Sequence, residues 1–161
     1  MRNSILETIK RKVRFFTERP LVKLEDRINQ SSLKQKIPTD VYQTWENNLF
    51  GKTHAKYINK FRDLNPELSF YLYDKDKRDS YMKNNWKDHT ITEIYFNALL
   101  GPMKADIFRY CILYEFGGYY FDIGKGCKTP LNLLHKSNHE AILTYEDNTF
   151  FFPPSSYKNF E

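Results

Sequence analysis

Cysteine is scarce in this sequence of 161 residues, and Cys111 and Cys127 alone make neither a disulfide framework nor a cysteine metal cluster. No apolar run reaches the roughly 18 residues that a membrane-spanning helix needs. The first residues also lack the apolar core of a signal peptide. We therefore expect a cytoplasmic protein without a signal peptide or transmembrane segment, peripheral at a membrane if it meets one.

Positive charge is in excess, but it is concentrated in the first part of the chain. The formal net charge is +5, and residues 1–36 hold ten basic against four acidic side chains, a local charge of +6. We predict a basic amphipathic helical segment over residues 1–35. Its residues 1–19 either lie on an anionic membrane surface or pack on the domain, two alternatives that the sequence leaves open. Because the charge is local and no binding motif accompanies it, we expect no nucleic-acid partner.

Strand-like and helical patterns alternate along the rest of the chain. Predicted strands are Ile37–Thr44, Ser69–Tyr73 and Glu140–Tyr145. Predicted helices between them are Thr53–Leu64, Lys75–Asn85 and Thr92–Leu100. This alternation predicts an α/β domain over residues 36–161, with a mainly parallel sheet flanked by helices.

The stretch from Gly101 to Lys128 combines a helix with a strand. Pro102 suits the first helical turn and Gly117 suits the residue that ends the helix. The aromatic and β-branched run Tyr119–Ile123 predicts a strand with Asp122 at or near its carboxyl end. Ligands of open α/β sheets bind at that end of the strands.

Charged side chains accompany this helix, which its apolar faces otherwise predict to be mostly buried. Asp106 and Arg109 are three residues apart, and by themselves they would form an ordinary ion pair. Beside the strand-end carboxylate of Asp122, the combination suits a divalent metal that carries a diphosphate. Arg109 would add a bidentate contact to phosphate.

Two other features invite a metal-site interpretation that we do not adopt. Asp74-Lys75-Asp76 is a literal Asp-x-Asp, but aspartates between a strand and a helix commonly cap the helix. His54 lies at the start of a predicted helix without a second histidine in metal-ligand spacing. We interpret His54 as a solvated or capping residue.

The run K-A-D-I-F-R-Y-C-I-L-Y-E-F-G-G-Y-Y-F-D resembles the core motif of glycosyltransferase family 32, the DXD-containing sugar transferases related to yeast mannosyltransferases. The segments I-P-T-D-V-Y-Q-T-W and N-P-E-L-S-F-Y-L-Y-D are similar to the same family, and the resemblance covers roughly residues 36–134. It implies a GT-A-like, Rossmann-type domain that binds a nucleotide sugar and is short at its C-terminus. The implied activity is transfer of a hexose, with retention, to a saccharide or lipid-linked acceptor, as in polysaccharide biosynthesis.

The resemblance also implies a set of residues that bind the sugar donor. Its members are Gln43, Thr44, Trp45, Asp106, Arg109, Tyr120 and Asp122. Trp45 would stack on the base, and the two residues before it would line the nucleotide end of the cleft. The others would hold the sugar, ribose and diphosphate, with Asp122 and Arg109 as the catalytic residues.

The resemblance implies a divalent metal ion, but the sequence departs from the metal motif of the family. The metal motif of the family is Asp-x-Asp, whereas Asp122-Ile123-Gly124 has glycine in place of the second carboxylate, usually the direct ligand. We expect Mn²⁺ or Mg²⁺ held by Asp122, donor phosphates and water. Alternatively, Glu146 or Asp147 reaches the site, or Arg109 and lysines neutralise the phosphates without metal. A catalytically silent nucleotide-sugar-binding or partner protein, derived from such a transferase, is the alternative function.

Overall fold

The computed structural model describes residues 20–143, so the predicted basic helix of residues 1–19 lies outside the described residues. The strands are β1 (Leu21–Lys23), β2 (Asp40–Thr44), β3 (Leu49–Gly51), β4 (Ser69–Tyr73) and β5 (Tyr119–Tyr120). The helices are α1 (Lys52–Leu64), α2 (Lys75–Asn85), α3 (Thr90–Asn97) and α4 (Gly101–Phe116), followed by a 3₁₀ turn at Leu131–Leu133. Within residues 20–143, no helix is long and apolar enough to cross a membrane.

A three-stranded parallel sheet forms the centre of the domain. Its order is β4-β2-β5, and β2 pairs in parallel with both neighbours. Strands β1 and β3 form a separate antiparallel pair. Helices connect the parallel strands, as the alternation of patterns predicted, and the fold is confirmed as α/β with a parallel sheet of the GT-A-like kind.

The two faces of the parallel sheet are covered by different helices. Val41 packs with Phe61 of α1 on one face. Tyr42, the next residue, packs with Met82 of α2 and Phe108 of α4 on the other. Successive side chains of a strand point to opposite faces, so β2 supplies both cores. Each fully buried side chain of this size stabilises the fold by about 1.5–3 kcal/mol.

Several predicted boundaries agree with the structure. Strand β4 and helix α2 begin and end where the sequence predicted. Asp74 caps α2 by accepting a hydrogen bond from the Lys77 amide at 2.9 Å, which confirms its interpretation as a cap. The strand predicted at Ile37–Thr44 is β2, which begins at Asp40 instead of Ile37. Helix α3 spans Thr90–Asn97 instead of the predicted Thr92–Leu100.

Other local predictions differ from the structure. Strand β5 ends at Tyr120, because the chain turns away from β2 at Asp122, where the Lys125 amide donates to the Asp122 carbonyl at 2.9 Å. Residues 140–143, the described part of a predicted strand, form no strand. Residues 20–35 lie in the predicted helical segment, yet they contain β1 because its backbone pairs with β3.

Helix α4 is buried along one side only. Phe108 and Ile112 are fully buried, whereas Tyr114 is 86% exposed and Phe116 46% exposed. The prediction that most of this helix is buried is therefore wrong. Apolar residues occur on all sides of this helix, but among the described residues the sheet, α2 and α3 cover only one stripe of it.

A glycine pair carries the chain from α4 into β5. Gly117 ends the helix with a φ of 67°, and Gly118 has a φ of 83°. A Cβ at Gly118 would lie 2.4 Å from the Asp40 carbonyl oxygen, closer than atoms can approach. Glycine is therefore required for the backbone to pass beside β2, and this tight passage places β5 in the sheet.

Candidate functional site

Strands β2, β4 and β5 run parallel, so their carboxyl ends meet at one edge of the sheet. Trp45 follows β2, Asp74 follows β4 and Asp122 lies just beyond β5. Asp74 is committed to capping α2. The free strand-end residues are thus an aromatic side chain and a carboxylate, both of which are partly exposed.

Arg109 of α4 joins two carboxylates at this edge. Its Nη2 atom lies 3.1 Å from Asp106 Oδ1 and donates to Asp122 Oδ1 at 2.8 Å. The guanidinium carbon lies 4.6 Å from the centre of the Tyr120 ring. The structure therefore brings together four of the residues expected to bind the donor, and we call Asp106, Arg109, Tyr120 and Asp122 the arginine cluster.

The charges of the arginine cluster influence one another. Partial burial lowers the pKa of Arg109, but the negative charge of Asp122 opposes this effect, and the net shift is upward. Burial, with the charge of Asp122 as the next cause, raises the pKa of Tyr120. Arg109 therefore stays cationic and Tyr120 neutral at physiological pH, while both carboxylates are more than half exposed and can meet a ligand.

The remaining expected donor residues lie at the end of β2 in different environments. Trp45 is 44% exposed and can meet a ligand. Thr44 is buried, and its hydroxyl donates to the Tyr73 carbonyl at 2.7 Å. Gln43 is also buried, and its amide has no hydrogen-bond partner among the described residues. The structure does not bring these two inward side chains into the arginine cluster.

A buried arginine near the same edge was not among the site residues expected from the sequence. Arg78 of α2 is 2% exposed. It donates to the Tyr95 hydroxyl at 2.9 Å and to the Thr44 hydroxyl at 3.0 Å, and Tyr95 donates to Asp79 at 2.6 Å. The network supports the end of β2 from below. The sequence could have indicated its burial, because Arg78 lies three and four residues before Tyr81 and Met82 and so shares their buried face of the helix.

The described residues offer few protein ligands for a divalent cation at this edge of the sheet. Within residues 20–143, no group of three or more histidines, cysteines or acidic residues is arranged to hold a metal. Asp122 offers a carboxylate of which one oxygen binds Arg109. Nε2 of His54 lies against the turn at Gly124, because a Cβ at Gly124 would be only 3.0 Å from that atom. Glu146 and Asp147 lie outside the described residues. These groups fit a cation that takes most of its ligands from a diphosphate and water.

The structure thus places an arginine and two exposed carboxylates at the carboxyl edge of a parallel α/β sheet, the edge at which open α/β domains bind their ligands. Residues 51–141, more than half of the chain, match the family described as the glycosyltransferase sugar-binding region containing a DXD motif. The chain belongs to this family, which confirms the resemblance seen in its motifs.

Several curated relatives are fungal proteins named for mannosyl transfer or for a mannosyl lipid product. Inositol phosphoceramide mannosyltransferase 1 of Schizosaccharomyces pombe is 29% identical over 103 residues, which cover 62% of this chain and 32% of that protein. Mannosyl phosphorylinositol ceramide synthase CSH1 of Saccharomyces cerevisiae is 31% identical over 63% of this chain and 27% of its own length. The initiation-specific alpha-1,6-mannosyltransferase of Candida albicans is 30% identical over 66% of this chain and 29% of its own. The chain thus matches about a third of the length of these relatives. No solved structure matches it significantly.

Proposed function

We propose that this domain binds a nucleoside-diphosphate hexose and takes part in transferring the hexose to a saccharide or glycolipid acceptor. The observation that carries the proposal is the arginine cluster at the carboxyl edge of the sheet in a member of a sugar-transferase family. Two of the relatives named above are called mannosyltransferases, and two carry an inositol-containing ceramide in their names. We therefore favour a mannosyl donor and a lipid-linked acceptor.

The chemistry of the cluster suits a donor whose leaving group is a diphosphate. Arg109 would neutralise phosphate oxygens as negative charge develops on them. Asp122 and Asp106 would accept hydrogen bonds from ribose or sugar hydroxyls, and the Tyr120 ring would hold the guanidinium in place. Trp45 would stack on the base. Retention of the anomeric configuration is part of this proposal.

The proposal also includes a divalent cation at this site. Bound Mn²⁺ or Mg²⁺ would supply Lewis-acid stabilisation of the leaving diphosphate. Asp122 is the protein carboxylate that would hold it. Arg109 shares that carboxylate, so the protein presents positive charge at this position before any cation binds.

The second candidate is a silent nucleotide-sugar-binding or partner protein. Gly124 favours it, because glycine replaces the second carboxylate of the DXD pattern from which the family takes its description. Such a protein would bind the nucleotide sugar, or only a partner protein, and transfer nothing. Turnover measured together with binding separates it from an active transferase.

The test is calorimetry of GDP-mannose and UDP-sugars with the full chain, followed by a turnover assay, in wild type and in Asp122→Ala. We predict that the variant loses at least about tenfold in donor affinity, because a hydrogen bond to a charged group contributes roughly 1.5–3 kcal/mol. Asp63→Ala is the matched control: Asp63 is also an exposed carboxylate paired with an arginine, Arg27 at 2.9 Å, but it lies near the end of α1. Equal donor affinity in a folded Asp122→Ala would contradict the assignment.

A further inference from the structure

Glu46 follows Trp45 just beyond the carboxyl end of β2, the central strand of the parallel sheet. The backbone still runs beside the end of β4 at this point, because the Trp45 amide donates to the Tyr73 carbonyl at 3.1 Å. The side chain of Glu46 is 56% exposed. An accessible carboxylate therefore lies next to the tryptophan, at the edge where open α/β sheets bind ligands.

Glu46 lies on the side of the sheet edge that carries the arginine cluster. A Cβ built on Gly101, the first residue of α4, would lie 2.9 Å from Oε1 of Glu46. Asp106 is five residues farther along the same helix, which corresponds to about 7.5 Å along the helix axis. This separation is comparable with the span from the ribose to the terminal phosphate of a nucleoside diphosphate. A nucleotide whose ribose meets Glu46 can thus place its phosphates near Arg109.

Arg78 holds the two residues that flank Trp45 in sequence. Its buried guanidinium donates to the Thr44 hydroxyl at 3.0 Å and lies 3.5 Å from Oε1 of Glu46. A buried positive charge needs acceptors close by, and this one finds them at the end of β2. The carboxylate of Glu46 is therefore kept beside Trp45 by a group that cannot move out into the solvent.

The contacts of Glu46 within residues 20–143 leave most of its carboxylate available. The separation of 3.5 Å from Arg78 is long for a hydrogen bond. Helix α4 begins without a side-chain cap hydrogen bond, so Glu46 does not cap it. A carboxylate offers about four acceptor sites and no donor, and Arg78 meets only one oxygen. The remaining acceptor sites suit a ligand that presents hydroxyl groups.

We propose that Glu46 binds the ribose of the nucleotide-sugar donor by accepting hydrogen bonds from its 2′- and 3′-hydroxyls, with Arg78 as the positioning residue. The inference rests on the proposed function, in which Trp45 stacks on the base. The ribose is attached to that base, so the residue next to Trp45 is the one within reach of it. A carboxylate repels phosphate oxygens and accepts from a diol, which assigns the diphosphate to Arg109 and the ribose to Glu46.

The experiment is calorimetry on the full chain, comparing the affinity for GDP with that for 2′,3′-dideoxy-GDP, and likewise for the two forms of UDP. We expect wild type to prefer the ribonucleotide at least about tenfold, because hydrogen bonds to a charged acceptor are absent from the dideoxy form. We expect the preference to disappear in Glu46→Ala. Asp63→Ala removes another exposed carboxylate paired with an arginine and should keep the preference. A loss of stability alone does not change the ratio of two affinities in one variant.

Gly101→Ala displaces the carboxylate without removing it. Outside its own helix and its chain neighbours, the new Cβ would meet only Glu46 within 4 Å, and alanine is favoured over glycine in a helix. The end of the Glu46 side chain must therefore move. We expect a weaker ribose preference in Gly101→Ala, and no further change when Gly101→Ala is added to Glu46→Ala, because both act on the same contact.

The outcomes separate this inference from the proposed function. Nucleotide binding without a ribose preference in wild type, or a preference that survives in Glu46→Ala, would overturn the assignment of Glu46 and leave the proposed function intact. A preference lost in Asp122→Ala but kept in Glu46→Ala would assign the ribose to Asp122 and likewise overturn it. Absence of both GDP and UDP binding in wild type would overturn the proposed function itself, and the role of Glu46 with it.

Discussion

Arg109 connects the features of the candidate site at the scale of a single residue. Its planar guanidinium reaches Asp106 and Asp122 at once and packs on the Tyr120 ring. These ion pairs are more than half exposed on the carboxylate side, so each contributes at most about 1 kcal/mol to folding. An arginine held this way is better suited to meeting a phosphate than to stabilising the fold.

Replacing Arg109 by lysine tests this interpretation while keeping the charge. A lysine ammonium is a point charge that cannot span two carboxylates or stack on Tyr120 as a planar fork does. We predict that Arg109→Lys lowers the affinity for GDP-mannose about tenfold in calorimetry, with a change in unfolding free energy below about 1 kcal/mol. Arg27→Lys, at the exposed pair with Asp63, is the matched control and should keep wild-type donor affinity. Similar losses in both variants would show that the effect is not specific to the cluster.

At the scale of elements, the connection between α4 and β5 determines where Asp122 lies. The pair Gly117 and Gly118 lets the chain turn closely past the Asp40 carbonyl and join β2. Because β5 contains only two residues, a small displacement there would carry Asp122 away from Arg109.

We therefore predict that Gly118→Ala destabilises the protein by at least about 2 kcal/mol, because it combines a positive φ with a contact of 2.4 Å to backbone. Urea denaturation measures the change. Gly51→Ala is the control: a Cβ there meets nothing within 4 Å, and the cost should stay below about 1 kcal/mol, the effect of alanine at a helix N-cap. A Gly118→Ala protein as stable as wild type would refute the proposed role of this turn.

At the scale of the whole molecule, charge is distributed unevenly between the N-terminal segment and the domain. Residues 1–36 carry +6, while the whole chain carries +5. The described part of this segment is attached to the domain: Arg62 donates to the Glu25 carbonyl at 2.7 Å, and Lys77 pairs with Asp26 at 2.6 Å. The described residues that follow the segment 1–19 are therefore fixed to the domain.

The membrane hypothesis for residues 1–19 predicts that the protein co-sediments with anionic liposomes and not with neutral ones. Added salt should release it, because exposed charges are screened beyond about 8 Å at physiological ionic strength. Replacing Arg11, Lys12 and Arg14 by glutamine should weaken sedimentation, at roughly 1 kcal/mol per charge removed. Equal sedimentation with both kinds of liposome would instead support a helix packed on the domain.

Much of the fold was predictable from sequence wherever a local pattern sufficed. Alternating strand and helix patterns predicted the parallel α/β sheet, and Asp74 was recognised as a helix cap from its position alone. The end of α4 followed from its glycine pair. Such features depend on neighbours within a few residues, which are visible in the sequence. The family was equally readable from short motifs at fixed spacing.

The sequence by itself thus determined the fold class, the family and the residue types available for chemistry. Only the tertiary structure decided which of them meet: Arg109 with Asp122 across the sheet edge, Arg78 with Tyr95 beneath it, and His54 with the turn at Gly124. These pairs join different elements, and their distances depend on how helices pack on the two faces of β2. Packing of that kind sums many weak contacts over the whole domain, so no local pattern encodes it.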